Sequence, residues 1–407
     1  MKPCPIDSSP WRYFADYYFA GTPIRRRVSE NWGQYEARYE SVLQKGDPIA
    51  DSLAQAIIDR RVSRADFELA LTRGIDAVRQ PDSTLREFFA HVDQLPDGID
   101  MAAVDRGSAV LKQLPITVLL THGIVAGFVF AAINPNSAIP LSLNQSIARA
   151  TRRRYIETTK YVADTIATGG LQRFGGGFQS ACRVRLVHAF VRTEIVRHYD
   201  WNFHAYGAPI HPVALIAAAA VPDVWAVRFA EKHGCRFSDR DLQDVAAHNA
   251  RLAYLHGVPI ELIPTDYESF CDVLCWAICQ SALPLPEDRA AALSVLQPLL
   301  ENGYPLSTNA AINWFFNQTV YTASRSILGD TLCDAYDIPT SRQSGPLSVA
   351  LAGINRMLVA AQRLPATRSI YRRGTSLYWN ISVPRLVEKI TGQSQVSYAT
   401  TVVHRSR

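Results

Sequence analysis

Apolar residues recur at intervals of three and four along most of the chain, a period that predicts helices and leaves few alternating stretches for strands. From Asp51 the pattern is clear: Leu53, Ala56 and Ile57 mark one stripe, and Phe67, Leu71 and Ile75 a second, with Ser63 placed to cap it. The period returns over residues 213–233, 239–256 and 287–300, and Trp314, Phe315 and Phe316 predict another buried helix. Residues 394–407 read either as a strand or as a frayed end. No internal repeat or coiled-coil heptad interrupts this pattern, and the expected class is all-α.

The most apolar run is 116–133, ITVLLTHGIVAGFVFAAI, without a formally charged residue. Its eighteen positions reach the length of a membrane span. His122, two threonines and two glycines interrupt it, and no basic flank marks an inner end, so a buried core helix is expected. Asn134 to Pro140 reads as a loop that breaks this helix. Arg154 to Arg197 then reads as two helices joined by Gly169, Gly170, Gly175, Gly176 and Gly177. No strand precedes these glycines and no Lys-Ser/Thr follows them, so they are read as a close-packed turn and not as a phosphate cradle.

Residues 1–50 carry Trp11, Tyr13, Phe14, Tyr17, Tyr18, Phe19 and Trp32 before any strong periodicity, and are read as a segment that wraps the body. The organisation expected is this segment, a helical body over 51–330 and a C-terminal extension over 331–407. With 407 residues, 48% hydrophobic and 19% charged, the chain can build one large core. A net charge of +5, with the arginines scattered, gives no support to nucleic-acid binding. Seven cysteines without a dense framework suggest reduced thiols. The start of the chain lacks an apolar signal segment, and Arg25-Arg26-Arg27 is not followed by an apolar run, so a cytoplasmic location is expected.

Candidate chemistry lies in the second helix of the Arg154–Arg197 pair. Arg185, His188 and Arg192 stand three and seven positions apart and share one helical stripe, while Arg154 and Thr158 share a face of the first helix. A histidine between cations suits an anionic cofactor whose metal takes an imidazole, and haem, with its iron and two propionates, is such a cofactor. A solvated Arg/His face is the ordinary alternative. Against it, Val184, Leu186, Val187, Ala189, Phe190 and Val191 leave little room for an exposed surface, and buried arginines need anionic partners. Elsewhere the signals are weaker. His198 and His204 do not share a face, Cys271, Cys275 and Cys279 are read as small apolar residues lining a contact, and His248 and His256 as ordinary helix residues. Cys-x-x-Cys-His is absent, which excludes covalent haem attachment of that type.

At these residues the chain resembles a family. Arg154-x-x-x-Thr158, the glycine-rich connection and Arg185-Val-x-x-His188-Ala-x-x-Arg192 are similar to the haem-b oxygenases that include the latex-clearing proteins and the MpaB-type oxygenase of mycophenolic acid biosynthesis. Trp201, Tyr206-Gly207-x-Pro209-Ile210 and Gly257-Val-Pro-Ile-Glu261-Leu-Ile-Pro264 continue the likeness, which spans about residues 110–280 and fades from about 305. The resemblance implies a single helical domain with a globin-like core around a b-type haem. It implies His188 as the iron ligand, Arg154, Arg185 and Arg192 as partners of the propionates or holders of the ligand helix, and Thr158 on the opposite side of the ring. His122 and His204 are the next candidates for the iron.

Glu157 stands where the latex-clearing proteins carry a lysine that can close the iron's sixth position. It is a poor mimic of an amine ligand and can pair with Arg154 within the helix. The loop 134–140 also lacks a carboxylate to match their proton-handling glutamate. The expected function is therefore a haem-b-dependent oxygenase or oxidase acting with dioxygen on a small apolar substrate other than polyisoprene, with Arg154, Glu157 and Thr158 at the reacting centre. A haem carrier or sensor without turnover is the alternative. A membrane-associated helical protein is a third reading, resting on the run 116–133 alone.

Overall fold

Helix starts are set by side chains that accept the otherwise unpaired first N–H groups. Asp47, Ser63, Asp82, Asp100, Ser238 and Asp266 each do so in the computed structural model, for the helices Pro48–Ile58, Arg64–Arg73, Ser83–Asp93, Met101–Leu111, Asp239–Leu255 and Tyr267–Gln280. The expected cap at Ser63 accepts the Asp66 N–H at 3.0 Å. Proline at the first turn adds a preset φ at Pro23, Pro48 and Pro212. The structure describes residues 5–115, 125–142, 151–302 and 310–340, then 365–377 and isolated positions between 353 and 385. Among these there is no strand, and the domain is all-α.

The aromatic N-terminus forms the helices Arg12–Phe19, Pro23–Glu30 and Trp32–Leu43, from which Phe14, Tyr18, Phe19 and Tyr39 enter the main core, while Tyr13 is 48% exposed. Phe14 lies 4.9 Å from Phe130 and 5.2 Å from Trp225, and Tyr18 lies 4.7 Å from Trp225. Buried rings of this size contribute a large share of the apolar area withdrawn from water.

Two expectations change in detail. Residues 134–140 are not a plain loop: Pro135–Ser142 is helical, started by Asn134, whose Oδ1 accepts the Asn136 N–H at 3.1 Å. Trp314 lies in the helix Ala310–Leu328 but is 52% exposed, so it is not part of a buried face. Of the apolar run 116–133, residues 116–124 lie outside the described residues, His122 and Gly123 included. The rest, Val125–Phe130 and Ala131–Ile133, is helical, and Val129, Ala132 and Ile133 are buried. Among the described residues no single helix is long and apolar enough to cross a membrane.

Close backbone approach positions the central helices. A Cβ on Gly107 would lie 2.2 Å from the Asp244 carbonyl oxygen, so Met101–Leu111 presses directly on Asp239–Leu255, and Arg106 clamps the pair by binding both oxygens of Asp244. Gly107→Ala is expected to cost about 1–3 kcal/mol, because one methyl group forces these backbones apart. A denaturant midpoint within error of the wild type would show that the contact yields.

The glycine turn is close-packed as its composition suggests. A Cβ on Gly170 or Gly177 would lie 2.2 or 2.7 Å from the Asp164 carbonyl oxygen. This turn folds the helix Thr151–Thr165 back against Gly176–His198, which carries Arg185, His188 and Arg192.

Candidate functional site

The histidine helix is packed on most of its circumference, and its arginines are not solvated. Arg185 is 1% exposed and Arg192 6%. Arg185 donates from Nε and Nη2 to the two oxygens of Asp47, at 2.6 and 2.9 Å, and from Nη1 to His91 Nδ1 at 3.1 Å. His91 stacks on Tyr254 with ring centroids 4.6 Å apart. Burial and then the Arg185 charge push the His91 imidazole down to about 4, consistent with a neutral ring accepting from the guanidinium. Gly257 closes the cluster: at φ +87 it brings its backbone so near that a Cβ would lie 2.2 Å from Asp47 Oδ2. Of the two roles expected of Arg185, this geometry favours holding the ligand helix, since the edge that could face a propionate is taken by Asp47.

Arg192, two turns along, is differently placed. Its ion contact is a 3.5 Å approach of Nη1 to Asp51 Oδ1, and Nε and Nη1 are buried without a hydrogen bond. Burial pushes the Asp51 carboxyl up to about 6, although Arg192 pulls the other way. A guanidinium stays charged at any working pH, so the unused donors of Arg192 suit an anionic group that the protein does not itself provide.

His188 is half-buried, and a second imidazole lies beside it: the His256 ring is 5.9 Å away, centroid to centroid, at 28°. His256 ends the helix Asp239–Leu255, and its Nε2 lies 2.5 Å from the Tyr161 hydroxyl on the facing helix. Its Nδ1 is buried without a hydrogen bond. Burial, then the Arg185 charge, pushes this ring down to about 4. Glu157 and Thr158 lie half-buried on the same helix as Tyr161, one turn before it. Arg154 belongs to that helix too, but its side chain lies outside the described residues.

The other histidines sort themselves by burial. His198 and His204 are exposed. His248 is no ordinary helix residue: fully buried, it contacts Asp223 Oδ2 through Nδ1 at 2.8 Å and the Thr165 carbonyl through Nε2 at 3.0 Å. Cys271, Cys275 and Cys279 are buried thiols in the core, with burial raising the pKa of Cys271. Among the described residues no group of three or more His, Cys, Asp or Glu could hold a metal ion.

Sequence reasoning missed Asp47, His91, Tyr161 and His256. Nothing along the chain links Asp47 to Arg185, 138 positions away. His256 stands next to the Gly257 segment already singled out, and that adjacency was the available signal.

The profile of the ER-bound oxygenase mpaB/B' and rubber oxygenase catalytic domain matches residues 108–357, more than half of the chain. The protein belongs to this oxygenase family. The match runs past residue 305, where the likeness in the motifs fades, and takes in the helix Ala310–Leu328. Among solved structures, one titled latex clearing protein in the closed state aligns with a TM-score of 0.61 at 20% identity, covering 82% of this chain and 90% of that one. That likeness is one of fold. No curated protein matches the chain. Family membership makes the protein an oxidoreductase of the oxygenase type.

Proposed function

We propose that this oxygenase depends on haem b, with His188 as the iron's protein ligand, and acts with dioxygen on a small apolar substrate. The observation that carries the reading is the pairing, on one helix of an oxygenase-family chain, of a half-buried imidazole with a buried guanidinium whose Nε and Nη1 make no hydrogen bond. Those groups fit the two ends of haem, a metal that takes imidazole and carboxylates that take Arg. When bound, haem supplies the dioxygen and redox chemistry, and the protein supplies ligand, polarity and access.

The chain's own residues divide the remaining work. Arg185, locked to Asp47, holds the ligand helix against Pro48–Ile58. Arg192 donates to a cofactor carboxylate. His256 lies against the His188 ring and keeps it from turning, while Tyr161 holds His256 from the facing helix. Thr158 and Glu157, with Arg154, stand on that facing helix, where a hydroxyl can donate to a reacting oxygen. Glu157, which carries no amine nitrogen, would be a poor ligand for the iron of a bound haem.

Purified protein expressed with adequate haem is expected to show a Soret band, and His188→Ala to shift or abolish it. No Soret band in the wild type would end the reading. An unchanged spectrum in the variant would move the ligand elsewhere, to His256 or His122 first.

A further inference from the structure

The net charge of +5 conceals a division along the chain. Residues 338–407 hold ten of the 42 Lys and Arg and one of the 37 Asp and Glu, so this stretch carries +9 and residues 1–337 carry −4. From Ile338 to Val387 there is no side-chain carboxylate, while seven arginines fall within the same span. A soluble surface ordinarily interleaves the two signs, and a stretch of one sign alone suits a partner of the other.

Pro365–Leu377 is the helix described in this stretch, and its two sides differ. Tyr371 is half-buried and Thr375, one turn on, is buried, while Trp379, a further turn on, belongs to the main core. This side holds the helix on the body. Ile370, Arg373 and Leu377, three and seven positions apart, form the stripe turned away, and all three are exposed, Ile370 at 71% and Leu377 at 56%. Ile370 and Met357, at 71% and 67%, are the two most exposed large apolar side chains among the described residues.

An exposed isoleucine alone would be ordinary. What sets this face apart is two apolar residues a helical repeat apart, with an arginine between them, inside the strongly basic part of the chain. An anionic bilayer surface matches both features: its acyl layer takes up the apolar side chains, and its headgroups pair with the guanidinium groups. RNA would take the charges and leave Ile370 and Leu377 in water. A second copy would set the same +9 stretch against itself across a two-fold axis. At 13 residues the helix can lie in the interface and is too short to span the acyl core.

We propose that residues 338–407, through the face of Pro365–Leu377 that bears Ile370, Arg373 and Leu377, seat the protein on an anionic phospholipid surface. The proposal rests on charge and exposure in this stretch and is independent of the cofactor.

Sedimentation of the whole chain with vesicles tests it, using phosphatidylcholine alone and phosphatidylcholine mixed with phosphatidylserine. Wild type is expected to pellet with the serine-containing vesicles, to stay in solution with the neutral ones, and to be released as salt approaches about 1 M, where screening acts within about 3 Å. Arg373→Glu is expected to weaken binding about thirtyfold, since it removes one attraction and adds one repulsion, and Ile370→Ser/Leu377→Ser at least about tenfold. The substituted side chains are exposed, so melting followed by circular dichroism is expected to be unchanged in both variants. The wild-type comparison of the two vesicles decides the charge dependence whether or not a variant folds. No binding to either vesicle, equal binding to both, or folded variants that bind as the wild type does would each overturn the proposal. So would binding of polyuridylate in place of vesicles, or a dimer lost in Ile370→Ser/Leu377→Ser while vesicles are left unbound.

Discussion

Asp47→Ala is expected to destabilise the protein by about 3–5 kcal/mol, the cost of leaving a buried charge without its partner. Arg185 and Asp47 are 1% and 4% exposed, so water cannot replace the lost carboxylate. His91, the other partner of Arg185, is a neutral acceptor and does not neutralise the guanidinium. The double variant Asp47→Ala/Arg185→Met removes both charges and is expected to recover most of the loss, since paired charges in a core gain little over apolar residues of similar volume. Chemical denaturation of the haem-free protein measures all three. An Asp47→Ala variant within about 1 kcal/mol of the wild type would show that Arg185 finds another anion. It would reopen the role of propionate partner for Arg185.

The second large effect is expected at the pair His248 and Asp223, both 0% exposed. Burial, the largest influence, pulls the imidazole pKa down, but the Asp223 charge and hydrogen bond and the Thr165 carbonyl together outweigh it and raise the pKa above its ordinary value. Both ring nitrogens face acceptors, which suits the doubly protonated ring. A folded-state pKa above the unfolded one means that the folded state holds the proton more tightly. The contribution is fully present below the unfolded value of about 6.5 and is lost as pH rises through the folded value. Asp223→Ala is therefore expected to cost about 3–5 kcal/mol below pH ~6.5, with a smaller penalty at higher pH as the ring sheds its proton. Unfolding free energies of wild type and variant at pH 6 and pH 9 provide the measurement. A penalty that is the same at both pH values would mean that the ring is neutral throughout.

These two pairs also mark the limit of what could be read along the chain. Helical class, the cap at Ser63, the glycine turn and the Arg185–His188–Arg192 stripe all depend on neighbours within a turn or two. Periodicity and spacing record such neighbours directly. Even the family was legible, because its motifs keep their order and spacing over the stretch from Arg154 to Pro264. Local rules failed where context changed the outcome of a local signal. Asn134 and Pro135 read as the start of a break, yet asparagine is also a good cap and proline is tolerated in a first turn, so the chain starts a helix there, with Pro140 inside it.

By itself the sequence determined which segments coil, which side chains share a stripe, and that a histidine lies between two arginines. Only the tertiary structure decided what those arginines are for. On the helix Arg185 and Arg192 look alike, but the Asp47 carboxylate meets the first and leaves the second with unused donors. His256, His211 and His248 likewise took on distinct surroundings from segments far away in the chain: the Tyr161 hydroxyl, the Asn136 amide and the Asp223 carboxylate. The reason is physical. A charge or hydrogen-bonding group withdrawn from water must find its partner in space, and packing sets that partner irrespective of separation along the chain.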